Sequence, residues 1–157
     1  MHPNAMTVAK ALADAGARGQ VRELADAVRT AQDAAAVLGC APAAIANSLI
    51  FMADEEPVLI LTSGGHRVDT AHVATLLGVR KLRRATPEQV RAATGQPIGG
   101  VAPVGHPQPV RTLVDVALQP FPEVWAAGGT PHTVFPTTFD ELLRITGGAP
   151  IAVTAGQ

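Results

Sequence analysis

Apolar positions change their rhythm several times along the chain. Residues 5–15 are rich in alanine, the best helix former, and Gly16 follows where a helix-ending glycine is expected. A second helix is predicted from Thr30, whose side chain can cap free backbone N–H groups. Asp33 stands three residues on as an imperfect capping box, and the helix runs through Ala34, Ala35, Val37 and Leu38 to Gly39. The period then shortens. Residues 47–53 and 57–62 are brief apolar runs around Asp54-Glu55-Glu56, the pattern of a hairpin of buried strands with a charged turn. Ser63-Gly64-Gly65 reads as a loop.

Further on, Asp69 is placed to cap a helix through Val73, Leu76 and Leu77 that ends at Gly78, and residues 79–82 form a short strand candidate. Thr86-Pro87-Glu88-Gln89 is a strong helix start, with a capping threonine, a proline suited to the first turn and a glutamine able to reach back. That helix ends near Gly95. Residues 98–104 are apolar but interrupted by Gly99, Gly100 and Pro103, and residues 111–118, 123–127 and 132–135 are further β candidates. Thr138 opens a last helix with Leu142, Leu143 and Ile145 on its apolar face; Gly147-Gly148 closes it, and residues 151–154 can add a final strand. Helices, a hairpin, alternating elements and then many strands predict one α+β domain with a mixed sheet, not a doubly wound one. It is read as a helical N-terminal part over 1–29 and a core over 30–154.

Composition adds limits. The 157 residues are 47% hydrophobic and 16% charged, which excludes a disordered chain and suits a single domain. Cys40 is the only cysteine, so neither an intramolecular disulfide framework nor a multi-cysteine zinc site is possible. His2, His66, His72, His106 and His132 show no metal-binding spacing, and no metal or cofactor is expected. No leader pattern opens the chain, and no apolar run reaches the ~18–20 residues of a membrane span. A soluble cytoplasmic protein is the expectation.

The net charge of −1 conceals an uneven distribution. Residues 67–111 hold seven bases against two acids, a net +5, while the remainder carries five bases and eleven acids, a net −6. The basic segment, with Arg80, Lys81, Arg83 and Arg84 at its centre, is either a solvated face or a patch that touches a polyanion. Aromatic residues are only 3%, so stacking platforms for single strands are scarce.

Two glycine pairs are the best chemical leads. Gly99-Gly100 sits within an apolar segment, and Gly128-Gly129-Thr130 follows Val124-Trp125-Ala126-Ala127. Each is a tight turn, or a loop whose backbone N–H groups cradle a carbonyl oxygen or ribose. Neither continues as a phosphate-binding Gly-Lys-Ser/Thr loop, and there is no Gly-x-Ser-x-Gly elbow.

Taken in order, these pieces are recognisable. AIANSLIF at 44–51, Thr94-Gly95 followed by IGGVAPVG at 98–105, Leu113-Val114-Asp115, and AGGT at 127–130 before Glu141-Leu142 together resemble the YbaK/ProX family. Its members are freestanding relatives of the editing domain inserted in bacterial prolyl-tRNA synthetase. The resemblance covers roughly residues 30–153. It implies an α+β fold with a mixed, partly barrel-like sheet surrounded by helices, and hydrolysis of mischarged aminoacyl-tRNA in trans. The amino acid removed would be a small one such as Cys, Ala or Ser. Implied partners are the tRNA 3′ aminoacyl end and an aminoacyl-tRNA synthetase, with the protein a monomer or homodimer and no membrane association.

By the same resemblance Asn47, Gly99 and Gly100 are the catalytic candidates. Ile45, Ser48, Val101, Pro103, Asp115, Gly128, Gly129 and His132 are the substrate-binding candidates. Most members carry a lysine where this chain has Asn47, and its two lysines, Lys10 and Lys81, lie elsewhere. Asn offers a neutral amide where a lysine offers a charge. The chain is therefore read as an editing hydrolase or, alternatively, as a non-catalytic aminoacyl- or nucleotide-binding relative. Without the resemblance it would be a small enzyme acting on another acyl ester.

Overall fold

The computed structural model describes residues 1–156. Helix α1 (Pro3–Asp14) buries Ala5, Val8 and Leu12, one face at helical spacing. Helix α2 (Ala31–Leu38) starts at Thr30, whose hydroxyl accepts the Asp33 N–H, and ends at Gly39. A 3-10 turn (Pro42–Ala44) leads into the hairpin β2 (Ile45–Ala53) and β3 (Glu56–Ser63). Helix α3 (Thr70–Leu77) is capped by Asp69, and α4 (Pro87–Thr94) by the complete Thr86/Gln89 capping box. Strands β5 (Arg111–Asp115), β6 (Val124–Ala127) and β7 (Thr133–Thr137) follow, then α5 (Phe139–Thr146) and β8 (Ala149–Ile151).

Three expectations are corrected. The strand expected at 79–82 is β4 at Leu82–Arg84, because the Arg80 and Lys81 N–H groups bind the Asp54 carboxylate at the hairpin turn instead of a ladder. The final strand lies at Ala149–Ile151, not 151–154; it is an edge strand, so Pro150 costs no ladder bond. The N-terminal part is not wholly helical. A two-residue strand β1 (Arg22–Glu23), too short to show a period, pairs with β7.

The strands form one mixed sheet in the order β1-β7-β6-β2-β3-β5-β8, with β4 also on β2. One face, carrying Ala46, Ile50, Met52, Leu59 and Leu61, packs against Val8 and Leu12 of α1, Val90 of α4, and Phe139 and Leu142 of α5. The other face is covered in two patches. Ile45, Trp125 and Val134 lie under Ala31, Ala34 and Ala35 of α2, while Phe51, Val58 and Ile60 lie under Val73 and Ala74 of α3. Asn47 falls between Ile45 and Phe51, in the gap left between these helices.

Candidate functional site

Strand β2 is flanked discontinuously along one edge. Its parallel pairing with β6 ends at Ala46–Ala126, and its antiparallel pairing with β4 begins at Phe51–Arg84. The residues between have no ladder partner there. The Ile50 carbonyl accepts the Ala85 N–H across this edge, whereas the Ile45 carbonyl faces β3 and accepts the Gly64 N–H. Strand alternation therefore turns the Ser48 N–H and C=O into the opening. The Ser48 hydroxyl oxygen is buried and has no hydrogen-bond partner among the described residues. An orphaned buried hydroxyl costs roughly 1–3 kcal/mol.

A cleft of about 280 Å³ occupies this opening, lined by Arg29, Thr30, Asn47, Ser48, Arg84, Ile98, Gly99 and Val101 among others. It continues past Asn47, Ser48, Gly99 and Val101 into an inner chamber of about 40 Å³. The chamber is walled by Val28, Ala31, Ala34, Ile45, Trp125 and Val134. That volume suits roughly one to three heavy atoms. No carboxylate and no imidazole lines either space. Larger grooves exist, one of about 830 Å³ between residues 18–22 and α5, but it lies away from this opening and its arginine and carboxylate side chains partly engage one another.

The loop opposite β2 is not a strand but a held turn. Gln96, almost fully buried, precedes it; its Oε1 accepts the Ala102 N–H at 2.7 Å and its Nε2 donates to the Val104 carbonyl at 3.4 Å. Gly99 has φ of +87°, a conformation that favours glycine. A Cβ on Gly100 would stand 2.6 Å from the Thr130 carbonyl carbon, so only glycine lets this loop lie against the turn after β6. That turn in turn holds the chain before α2, since the Pro131 carbonyl accepts the Val28 N–H and the His132 carbonyl accepts the Leu24 N–H.

Of the residues singled out in the sequence, Ile45, Asn47, Ser48, Gly99 and Val101 meet at this cleft. The others do not line it. The Gly100 N–H donates to the Pro97 carbonyl, so it is not available to a substrate oxygen, and Gly100 acts through close packing. Pro103 is buried and lines neither space. The Gly128 N–H donates to the Thr133 carbonyl, Gly129 packs against α1 at Asn4, and the His132 side chain is exposed. Asp115 is fully buried elsewhere. Its carboxylate accepts the Ser63 and Ala117 N–H groups and lies 3.4 Å from His66 Nδ1, without hydrogen-bond geometry. Its contacts are those of a residue that ties β3 to β5.

Sequence reading missed Arg29, Ala34, Trp125 and Arg84 as cleft residues. Nothing local marks them: Ala34 and Trp125 read as core, and Arg84 as one of a run of bases. That run is divided by the fold. Arg84 faces Phe51, at 5.6 Å from its ring, while Arg83 points to the other face and donates to Gln89.

A family model described as the aminoacyl-tRNA editing domain matches residues 25–145. The chain belongs to the aminoacyl-tRNA editing domain family. Among solved structures, one described as a candidate trans-editing enzyme for prolyl tRNA synthetase is 42% identical with a TM-score of 0.90, covering 99% of both chains. The proline–tRNA ligase of Nitratidesulfovibrio vulgaris (strain DP4) is 38% identical over 90 residues, and that of Bacillus licheniformis 34% identical over 110. These stretches are 57% and 68% of this chain but only 16% and 19% of the ligases. The editing domain thus matches a small part of each ligase and nearly the whole of the trans-editing candidate. The α+β fold and mixed sheet expected from the sequence are those of this family. Among the described residues, no helix of the editing domain is long and apolar enough to cross a membrane.

Proposed function

We propose that this editing domain hydrolyses, in trans, the ester joining a small wrong amino acid such as alanine, serine or cysteine to the 3′ adenosine of a tRNA. The open edge of β2 carries the reading: the Ser48 backbone N–H, without a ladder partner, opens beside the neutral Asn47 at a chamber with room for a short side chain. The acyl side chain enters between Ala34, Ile45 and Trp125. The ester carbonyl lies at the β2 edge, where the Ser48 N–H and the Gly99 turn donate to the oxygen as it becomes negative.

Water attacks the carbonyl carbon, the ester C–O bond breaks, and the ribose hydroxyl leaves with a proton. The cleft lining holds no carboxylate or imidazole base. The reaction therefore depends on oriented donors, on the activated nature of an aminoacyl ester, and on the substrate's own groups. Removing one such donor in other enzymes costs about 2.7–4 kcal/mol, so few are needed. The tRNA of a proline system and its synthetase are the proposed partners, given the ligases that share the domain.

The same lining without a carboxylate or imidazole favours a second reading, a binder that holds an aminoacyl or nucleotide group without cleaving it. Deacylation of a panel of aminoacyl-tRNAs by wild type, Asn47→Ala and Asn47→Lys separates the two. The hydrolase reading expects wild-type turnover of small-residue esters and a loss on Asn47→Ala. A folded wild type inert toward every tRNA, with Asn47→Lys active, establishes the binder instead.

A further inference from the structure

Arg29 lines both the inner chamber and the outer cleft, and Arg84 lines only the outer cleft. Arg29 and Arg84 are the only ionisable residues that line either space. Both side chains are exposed, and neither has an ion-pair partner among the described residues, although the chain carries 13 acids for 12 bases. Arg29 is nevertheless held by its stem and Arg84 by its guanidinium. A Cβ on Gly99 would stand 3.2 Å from Arg29 Cγ, so the absence of a side chain there seats the arginine against the turn. The Arg84 guanidinium lies 5.6 Å from the centre of the Phe51 ring. Packing of this kind positions the long side chains while leaving their N–H groups for another partner. Ile98, 44% exposed, adds an apolar surface on the same rim.

We infer that Arg29 and Arg84 form a clamp for the phosphodiester that precedes the terminal nucleoside of a nucleic-acid 3′ end, and so set how deeply the acyl group enters. The inference rests on the editing reading of this cleft and adds to it the residues that grip the nucleotide. The planar guanidinium matches phosphate with two parallel hydrogen bonds, which suits a group whose orientation fixes the position of an ester further in. Arg83, bonded to Gln89 on the other face, and Arg80 and Lys81 at the hairpin turn stand outside the clamp.

The test uses two non-hydrolysable probes, 3′-alanylamido-adenosine without phosphate and the same group ending a CCA trinucleotide. Wild type is expected to bind the trinucleotide at least about tenfold more tightly, the worth of one charge-assisted hydrogen bond. Arg29→Ala should abolish that preference, weakening the trinucleotide at least about tenfold more than the nucleoside probe, and Arg84→Ala should reduce it. Arg29→Lys should retain part of it. The slope of log K against log salt for the trinucleotide should fall by about 0.7 for each phosphate that a variant no longer neutralises. A wild type that binds both probes equally, or an Arg29→Ala that weakens both equally, overturns the clamp alone. Binding of neither probe overturns the editing reading together with it. Displacement of the trinucleotide by an acidic peptide at equal concentration overturns the nucleic-acid assignment.

Discussion

Gln96 Oε1 accepts the Ala102 N–H at 2.7 Å, across the turn that carries Gly99 and Gly100. This bond fixes the height of the loop above β2 and hence the width of the cleft. Gln96→Ala leaves the buried Ala102 N–H without its partner, at a cost of about 1–3 kcal/mol. The expected result is a lower denaturation midpoint and, below it, a fall in kcat/KM for the proposed deacylation. Stability loss with unchanged turnover in the folded fraction would show that the turn holds its place without Gln96.

His106 grips the same residue from the other side, its Nε2 lying 2.8 Å from the Ala102 carbonyl. Burial lowers the imidazole pKa below its ordinary value near 6.5, and the Ala102 carbonyl opposes this more weakly. A depressed pKa means that the folded state resists protonation. The stability contribution is thus full above pH about 6.5 and is lost as pH falls through the lower folded value. Urea unfolding between pH 7.5 and 5 should show this decline. In His106→Gln it should be smaller, and an identical pH slope in the two proteins would contradict the assignment.

Ala34 faces Trp125 and Ile45 across the inner chamber. Ala34→Leu adds three carbons to a space of about 40 Å³, at an overpacking cost of about 1–3 kcal/mol. With the chamber filled, turnover of alanyl, seryl and cysteinyl esters should fall together, chiefly through KM. The smaller Ala34→Gly should stay active and accept bulkier acyl groups. Undiminished alanyl turnover by a folded Ala34→Leu would move the acyl side chain out of this chamber.

Much of the secondary structure was legible because its signals are local. Thr30, Asp69, Thr86 and Thr138 each cap N–H groups within three residues, and the β2–β3 hairpin announces itself by two apolar runs around three acids. The errors fell where a distant group intervened. Asp54 removes residues 80 and 81 from the sheet, and β1 exists only because β7 accepts it. Among the candidate site residues, those on β2 and at Gly99 and Val101 converge. Asp115 and the second glycine turn, equally prominent in the sequence, do not line the cleft: the first ties β3 to β5 and the second packs against α1 and the Gly100 loop.

The amino-acid order by itself determined the helices with their caps, the hairpin, the single-domain α+β class and the family resemblance, all properties of neighbours in the chain. It placed Asn47 and Ser48 in a strand but not at an opening. That opening depends on where β6 stops and β4 begins along the edge of β2, a matter of register between segments far apart in sequence. The tertiary structure likewise divided the basic run. Strand alternation sends Arg83 to one face and Arg84 to the other, and the fold brings Arg29 beside Gly99, so that two arginines from distant segments line one cleft.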